Sequence, residues 1–257
     1  MSRYILLTAL LICALAIRPT QLQALDPELR LGPHEVVAGL DLRSKLVDSG
    51  ALRHNDVVTR VHGRGRFHGI GLQLDAYVAV GNDRIRDTDA GEIPQMSARL
   101  DYLLDMPWFQ LLPSYTMVTY PAFSNVDEAH WLGTDVWVML PWEGLEAGAS
   151  VNFDLDDNYG WHAAIGGRQF LQTSGIDLHA WQLINYGSSD YHQYLGASDR
   201  RGLTTLNVGG KITVPLPFIH SWITAGLDGH WWLNSRDRAA VDNSSELIMS
   251  FGFEFRL

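Results

Sequence analysis

Four basic side chains occur at every second position between residues 60 and 66, in the most regular run of charge in the chain. They are Arg60, His62, Arg64 and Arg66, here called the arginine ladder. Side chains of an extended strand alternate between its two faces, so a strand at this point projects all four to one side. The planar guanidinium of Arg binds carboxylates bidentately, so this face is suited to acidic partners or to anions.

Other segments carry charged side chains with the same alternation. If these segments lie side by side in one sheet, their charges share a surface with the arginine ladder. The surface then holds acids and bases in mixture, and we treat all of them as candidate functional residues. The additional candidates are Asp41, Arg43, Asp75, Arg99, Asp101, Glu146, Asp154, Arg168, Asp228, Glu254 and Arg256.

Catalytic and metal-binding patterns are weak in this sequence. It contains no Gly-x-Ser-x-Gly turn, although a lipid hydrolase built on a barrel need not use that motif. Ser150 and His162 fall on neighbouring segments with their side chains on the same face as the charges, which suits a hydrogen bond better than attack on lipid. No cysteine cluster or paired-histidine helix motif is present. We therefore expect no enzyme activity, no metal site and no cofactor.

The elements that position these residues are predicted to be strands. Twelve segments alternate with a period of two, none has helical periodicity, and each has a length close to the 9–11 residues or so of a strand that crosses a membrane. The segments cover residues 36–45, 57–67, 70–80, 95–104, 109–120, 131–140, 145–155, 159–171, 176–186, 203–214, 222–233 and 246–257.

The connections between the segments alternate between short and long, with one short exception near residues 156–158. A β-sandwich does not predict this regularity, whereas short turns at one rim and long loops at the other are typical of outer-membrane barrels. The sequence therefore predicts an all-β fold: a transmembrane antiparallel up-and-down barrel of about twelve strands. An even number of strands places both termini at the short-turn rim, which is periplasmic in such barrels.

The opposite faces of the same segments are apolar. The outward sets at residues 70–80 and 96–104 carry no charge, as lipid requires. Trp108, Trp142, Trp161, Phe218 and Trp231 lie at segment ends, where a membrane barrel has its aromatic girdles. In residues 247–257 every second residue is Leu, Met or Phe, which is the pattern of a closing strand.

The N-terminus and the composition indicate an exported protein. Residues 1–24 have a basic start, an apolar run and a small residue at a cleavage site, as in a secretory signal peptide, which leaves residues 25–257 as the barrel. The only cysteine, Cys13, lies in that apolar run. The chain has 29 acidic residues against 19 basic residues, which argues against nucleic acid as a partner. We expect the protein in the bacterial outer membrane.

Several short motifs resemble the TorF family of porin-like outer-membrane barrels. These are Thr119-Tyr120-Pro121 followed by the acidic loop at 126–128, the Gly-Ala-Ser-Val-Asn run at 148–152 that leads into 154–161, and Pro215-Leu216-Pro217. The chain ends in Leu257, where the family has an aromatic residue, and Phe255 could serve in its place. The resemblance implies a channel and names no solute.

Two interpretations of the charged surface remain open at this point. An arginine ladder facing acids across a pore would give a conducting path that favours anions. Alternatively, the charges pair with one another and fill a narrow lumen, which leaves a structural or loop-binding barrel. A lipid-modifying enzyme of the outer membrane is a third, less favoured alternative for the protein as a whole. The expected partners are outer-membrane lipid and lipopolysaccharide, the barrel-insertion machinery through the last strand, and small solutes or ions.

Overall fold

A computed structural model describes residues 34–48, 51–83, 88–123, 128–156, 159–173, 175–216, 220–241 and 245–256 of the chain. The predicted signal peptide at 1–24, the loop residues Val126 and Asp127, Phe218 and Leu257 lie outside these residues.

Within these ranges the chain forms strands and two short helices. In chain order they are β1 (His34–Arg43), β2 (Leu46–Asp48), β3 (Ala51–His54), β4 (Val58–Phe67), β5 (Ile70–Ala79), β6 (Gln95–Tyr102), β7 (Leu104–Asp105), β8 (Phe109–Thr119), β9 (Ala129–Met139), β10 (Leu145–Asp154), β11 (Trp161–Thr173), β12 (Ile176–Gly187), α1 (Ser189–Tyr194), β13 (Gly202–Leu216), β14 (Ser221–Trp232), α2 (Ser235–Ala240) and β15 (Ser245–Arg256).

All the described strands except β2, β3 and β7 form one closed antiparallel barrel of 12 strands. Each barrel strand pairs with its neighbours in the chain, and the barrel closes where β1 pairs with β15, from Val37 opposite Arg256 to Arg43 opposite Ser250. Both ends of the described barrel therefore lie at the rim that carries the short turns. The predicted fold class, an up-and-down transmembrane barrel of about twelve strands, is confirmed.

The two faces of the wall have opposite chemistry. In the described barrel strands no outward position carries Asp, Glu, Lys or Arg, and the outward side chains are largely aliphatic and aromatic. Leu72 on the outer face is 49% exposed, whereas Arg60 on the inner face is 4% exposed. Lipid tolerates only the apolar outer surface, and a narrow lumen buries the charged inner one. The alternation thus fixes which residues meet lipid and which line the interior.

The two rims differ as the connection lengths predict. At the short-turn rim, His68 and Gly69 both have positive φ, at 50° and 86°, which is the backbone of a two-residue type I′ hairpin. Trp108 and Trp142 are exposed at this rim. At the long-loop rim, Trp161 stacks on Tyr186 with ring centroids 5.7 Å apart. Aromatic rings therefore occupy both ends of the apolar belt.

The long connections contain structure that the sequence analysis treated as plain loop. The connection after β1 holds the β2–β3 hairpin, and two other connections hold α1 and α2. These pieces are too short for a hydrophobic period to be visible. Each helix has a local start signal instead, since the side chains of Ser188 and Asn234 accept N-terminal backbone hydrogen bonds. None of the described helices is long and apolar enough to cross a membrane.

Candidate functional site

The first guanidinium of the arginine ladder is held between two carboxylates of neighbouring strands. Arg60 contacts Asp75 on β5 at 2.6 Å and Asp41 on β1 at 3.6 Å. All three side chains are buried inside the barrel. The charges on β1, β4 and β5 are thus joined through one Arg.

A second network runs from the other end of the ladder around the wall. Arg66 donates to Asp101 on β6 at 2.6 Å. Arg99 lies 3.9 Å from Asp101 and donates to Asp135 on β9 at 2.5 Å. Asp135 was missed by the sequence analysis, although the alternation in residues 131–140 gives it the same inward parity as Trp131 and Trp137. The network links β4, β6 and β9 and therefore passes over β8, which lies between β6 and β9.

A third network lies across the closing seam. His62 is 3.5 Å from Asp41 and 4.0 Å from Glu254. Glu254 accepts a 2.6 Å hydrogen bond from Lys211 and lies 3.5 Å from Arg256. Lys211 was not among the sequence candidates. Glu254 on β15 thus meets Lys211 of β13 and the His62 ring of β4, and side-chain contacts as well as backbone pairing connect the strands at the seam.

Glu146 and Arg168 form the most deeply buried ion pair of the described lumen. Arg168 Nε donates to Glu146 Oε2 at 2.6 Å, and the two side chains are 0% and 2% exposed. The guanidinium of Arg168 also lies 4.4 Å from the ring centroid of Trp137. Gly148 leaves room for that ring, since a Cβ at this position would come within 2.3 Å of it. Small and large inward residues therefore interlock here.

The remaining candidates also face inward. Asp154 accepts from the backbone of Tyr159 at 2.9 Å, across the short connection between β10 and β11. Asp228 is 3.0 Å from His230, and Arg43 is 3.3 Å from Asp41. Arg64 is 4% exposed and sits between Val37 and Gln73 in the strand register.

The structure thus brings every sequence candidate into the lumen, mostly in acid–base pairs. Arg60, Arg66 and Arg168 each contact a carboxylate at 2.6 Å, so the lining carries both signs of charge in close alternation. Their role in selecting solutes remains a prediction. His162 receives a 3.1 Å contact from the amide of Asn152, and this pair occupies the position where Ser150 was considered as a partner.

The long-loop mouth of the barrel is filled by aromatic residues. Here α1 folds over the mouth, and its Tyr191 joins Tyr120, Trp131 and Trp232 in a buried cluster. We call this group, together with Tyr194, the mouth cluster. The hydroxyls of Tyr120 and Tyr194 are hydrogen-bonded. The guanidinium of Arg53, from the β2–β3 hairpin, lies 5.0 Å from both of these rings, a distance that allows cation–π attraction.

A buried polar contact fastens α1 to α2. His192 Nδ1 lies 3.2 Å from Asp237 Oδ2, and both side chains are 0% exposed. The second carboxylate oxygen of Asp237 accepts from the backbone N–H of Ser198 at 3.1 Å and from its hydroxyl. His192 Nε2 also lies 3.2 Å from the carbonyl oxygen of Gly202. The two connections that contain helices are therefore tied together at one carboxylate.

A small cavity lies in the lumen beneath α1. Its volume is about 190 Å³, and it is lined by Arg99, Thr116, Val118, Trp131, Asn152, His162, Tyr191 and Tyr194. Sites for drug-sized ligands are larger, about 300–1,000 Å³, so this cavity accommodates only a small molecule or water. Aromatic rings bound it on the loop side, and polar groups bound it on the wall side. The sequence analysis missed this region, although Tyr191 and Tyr194 are spaced three residues apart in a polar loop.

Among the described residues, no group of three or more His, Cys, Asp or Glu side chains is arranged to hold a metal ion.

Comparisons with known proteins identify similar structures but no similar sequences. No family model matches the chain, and no curated protein matches it. The NanC porin is 14% identical with a TM-score of 0.51, over 87% of this chain and 100% of that one. An outer membrane channel from Pseudomonas putida F1 is 12% identical with a TM-score of 0.54, over 92% and 100% of the two chains. At these identities the likeness shows a shared barrel fold; the TorF resemblance stays a prediction.

Proposed function

We propose that the chain is a porin-like channel of the bacterial outer membrane that passes small polar solutes or ions. The observation that carries the proposal is the sorting of side chains by face: in the described barrel strands the outer face carries no Asp, Glu, Lys or Arg, and the inner face is lined by ion pairs. The likeness to two barrels named as a porin and a channel supports it. An uncharged outer belt requires lipid around it, and a charged interior suits water and polar solutes.

In this proposal the short-turn rim and both termini face the periplasm, and the long loops face the outside. Short periplasmic turns and longer external loops are general in such barrels. The external loops would contact lipopolysaccharide, and the apolar alternation of β15 would be read by the insertion machinery. The TorF-like motifs are consistent with this assignment and do not specify a solute.

The mouth cluster is the constriction of the proposed path. A solute that enters from the long-loop side has to pass α1, since Tyr191 and Tyr194 lie against the wall residue Trp131. Below it the solute meets Arg99 in the small cavity. The alternating charges of the wall then set up a field across the lumen, which favours dipolar or small charged solutes over apolar ones.

The ion pairs also favour a second candidate, a barrel whose lumen is closed by its own side chains. Arg168 and Glu146 are almost completely buried against each other, and such pairs fill the interior of narrow barrels. A barrel of this kind would act through its loops or as a structural part of the membrane. We favour the channel because the tilt and stagger of 12 strands enclose more space than the eight-strand case that side chains fill.

Conductance across a planar bilayer separates the two candidates. Purified protein, folded as judged by heat-modifiable migration in detergent gels, is added to a bilayer in symmetric salt. The channel predicts discrete ion-permeable steps, and replacing Tyr191 with Ala should enlarge them because it widens the constriction. If neither protein gives steps at any voltage, the closed barrel is the better description.

Selectivity tests the role of the arginine ladder. Replacing Arg60 and Arg66 with Gln removes the 2.6 Å ion pairs of Asp75 and Asp101 and two positive charges from the lumen, so the preference should shift from anions toward cations. Reversal potentials in a salt gradient measure the shift. Arg236, which is exposed on α2, provides the matched control: R236Q should leave the reversal potential unchanged. If the wild type, the double variant and R236Q have equal reversal potentials, the arginine ladder does not line the conducting path.

A further inference from the structure

A single amide interrupts the apolar outer belt on β12. Gln182 projects outward and is exposed, between the outward neighbours Ala180 and Ile184. In the strand register it lies opposite Gly167 on β11 and Val208 on β13. Within the part of the chain that the structure describes, no group hydrogen-bonds this amide. It is therefore directed away from the barrel with its hydrogen-bonding capacity unused.

Gln182 lies deep in the membrane, well away from either rim. Tyr186, four positions further along β12, stacks with Trp161 in the aromatic ring at the long-loop rim. Four residues at about 3.4 Å each, on a strand tilted by about 40°, place Gln182 about 10 Å below that ring. The apolar band of such barrels is about 25 Å tall, so the amide sits near its middle. Gln169, the other outward amide of this wall, is close to the turn rim and contacts the Glu143 carbonyl at 3.5 Å.

Hydrocarbon offers no donor or acceptor, so an amide at this depth is unfavourable unless another protein group satisfies it. Acyl chains cannot do so, and the polar headgroups of lipids lie at the rims. The surroundings of Gln182 permit a close approach, since Gly167, Ala180 and Gly210 expose little more than backbone. Next to them is a groove of about 530 Å³, whose lining includes Leu171, Leu178, Ile212 and Leu227.

We propose that the outer face of β11–β14 is an interface between two copies of this chain, held by hydrogen bonds between their Gln182 amides. An amide both donates and accepts, so two copies of Gln182 satisfy each other across a two-fold axis. Each pairwise interface of a ring-shaped trimer joins two different patches, so an amide within it would need a different polar group on the second patch. In the described strands, no other outward amide lies at this depth. The groove receives an aliphatic side chain of the partner copy.

A two-fold axis along the membrane normal keeps every residue at the same depth as its own copy, which makes cross-linking a direct test. Cys13 is the only cysteine of the chain, so a C13S background has no reactive thiol. In that background A180C should cross-link into dimers in isolated outer membranes with a short bismaleimide. A76C is the matched control, because Ala76 faces outward on β5, on the opposite side of the barrel. It should remain monomeric.

Substitution of the amide tests its role. Leu is favourable in lipid, so Q182L removes the unsatisfied amide that drives association. We expect the dimer to weaken about tenfold, as measured by sedimentation equilibrium in detergent. Q182N keeps an amide and should retain part of the affinity. Heat-modifiable migration verifies that each variant is folded.

Two results would overturn the proposal. One is A180C cross-linking no more than A76C, together with a single-chain mass for the wild type, which leaves Gln182 facing lipid. The other is a dimer that Q182L does not weaken, which means that the amide does not hold the interface. Neither result depends on whether the lumen conducts.

Discussion

Glu146 and Arg168 show what a buried charge needs at the level of single residues. Each is almost inaccessible to solvent, and each satisfies the other at 2.6 Å. A single buried charge without its partner is strongly unfavourable. Removing one member of the pair should therefore destabilise the protein more than removing both. The strand register supports it, because Glu146 and Arg168 are direct partners of β10 and β11.

Breaking this pair from one side should be costly. E146Q removes the carboxylate that the buried Arg168 guanidinium contacts at 2.6 Å, and we expect the free energy of unfolding to fall by about 3–5 kcal/mol. Urea unfolding in detergent micelles measures it. The double variant E146L/R168M removes both charges and should recover much of the loss; a double variant as unstable as E146Q would show that the charge is not the cause.

Gly148 allows a test of interior packing. In G148A the new Cβ would lie 2.3 Å from the nearest atom of the Trp137 ring, which is a clash. The substitution should therefore lower the free energy of unfolding by about 1–3 kcal/mol. The control is G63A, since a Cβ at Gly63 meets nothing within 4 Å. If G148A and G63A change the free energy of unfolding equally, the cause is backbone entropy and not a clash with Trp137.

At the scale of elements, the closed mouth depends on the connection between α1 and α2. Each helix has six residues, too few to be stable alone. They keep their places because the mouth cluster packs against α1 and because Asp237 holds the backbone of Ser198 and the ring of His192. The loops are thus ordered by a few buried contacts that the barrel itself does not need.

Removing the carboxylate should free the loops without unfolding the barrel. D237N weakens the contacts to Ser198 and His192, which are worth about 1.5–3 kcal/mol for a charged acceptor. We expect faster amide exchange in α1 and faster proteolysis at residues 195–201, with an unchanged midpoint of barrel unfolding. D190N on the exposed side of α1 serves as the control. Loss of the barrel in D237N would contradict the independence of the two parts.

At the scale of the whole molecule, the orientation of every strand follows from one alternation, and a single pair of substitutions can test it. Leu74 and Gln73 are adjacent on β5 and face lipid and lumen, respectively. L74R places a charge in the apolar belt and should lower the free energy of unfolding by about 2–4 kcal/mol. Q73E, which also adds a charge, should cost much less, because position 73 faces the lumen between Arg64 and Arg99 in the strand register. Similar losses for both would show that Leu74 does not face lipid.

The fold was predictable because a membrane barrel sorts side chains by a period of two, and that period is visible over ten-residue strands such as β4 and β5. The same parity placed the arginine ladder and its acidic partners inside. It could not reveal which acid each Arg selects, since that depends on register across strands: Asp135 and Lys211 became visible only once β9 and β13 were in place. The mouth cluster was hidden for another reason, because its Tyr191 and Tyr194 come from a connection whose residues follow no strand period.

Because the chain has only two lysines, the closure of the barrel can be followed by the reactivity of their amines. The two lysines of the chain both contact glutamates in the folded protein, Lys45 with Glu246 at 2.5 Å and Lys211 with Glu254 at 2.6 Å. A closed barrel should therefore react slowly with amine-specific reagents, Lys211 most slowly of all, whereas the unfolded chain exposes both amines. Acylation of Lys211, read by mass spectrometry of peptides, would then time the moment at which β13 and β15 come together during assembly in a membrane.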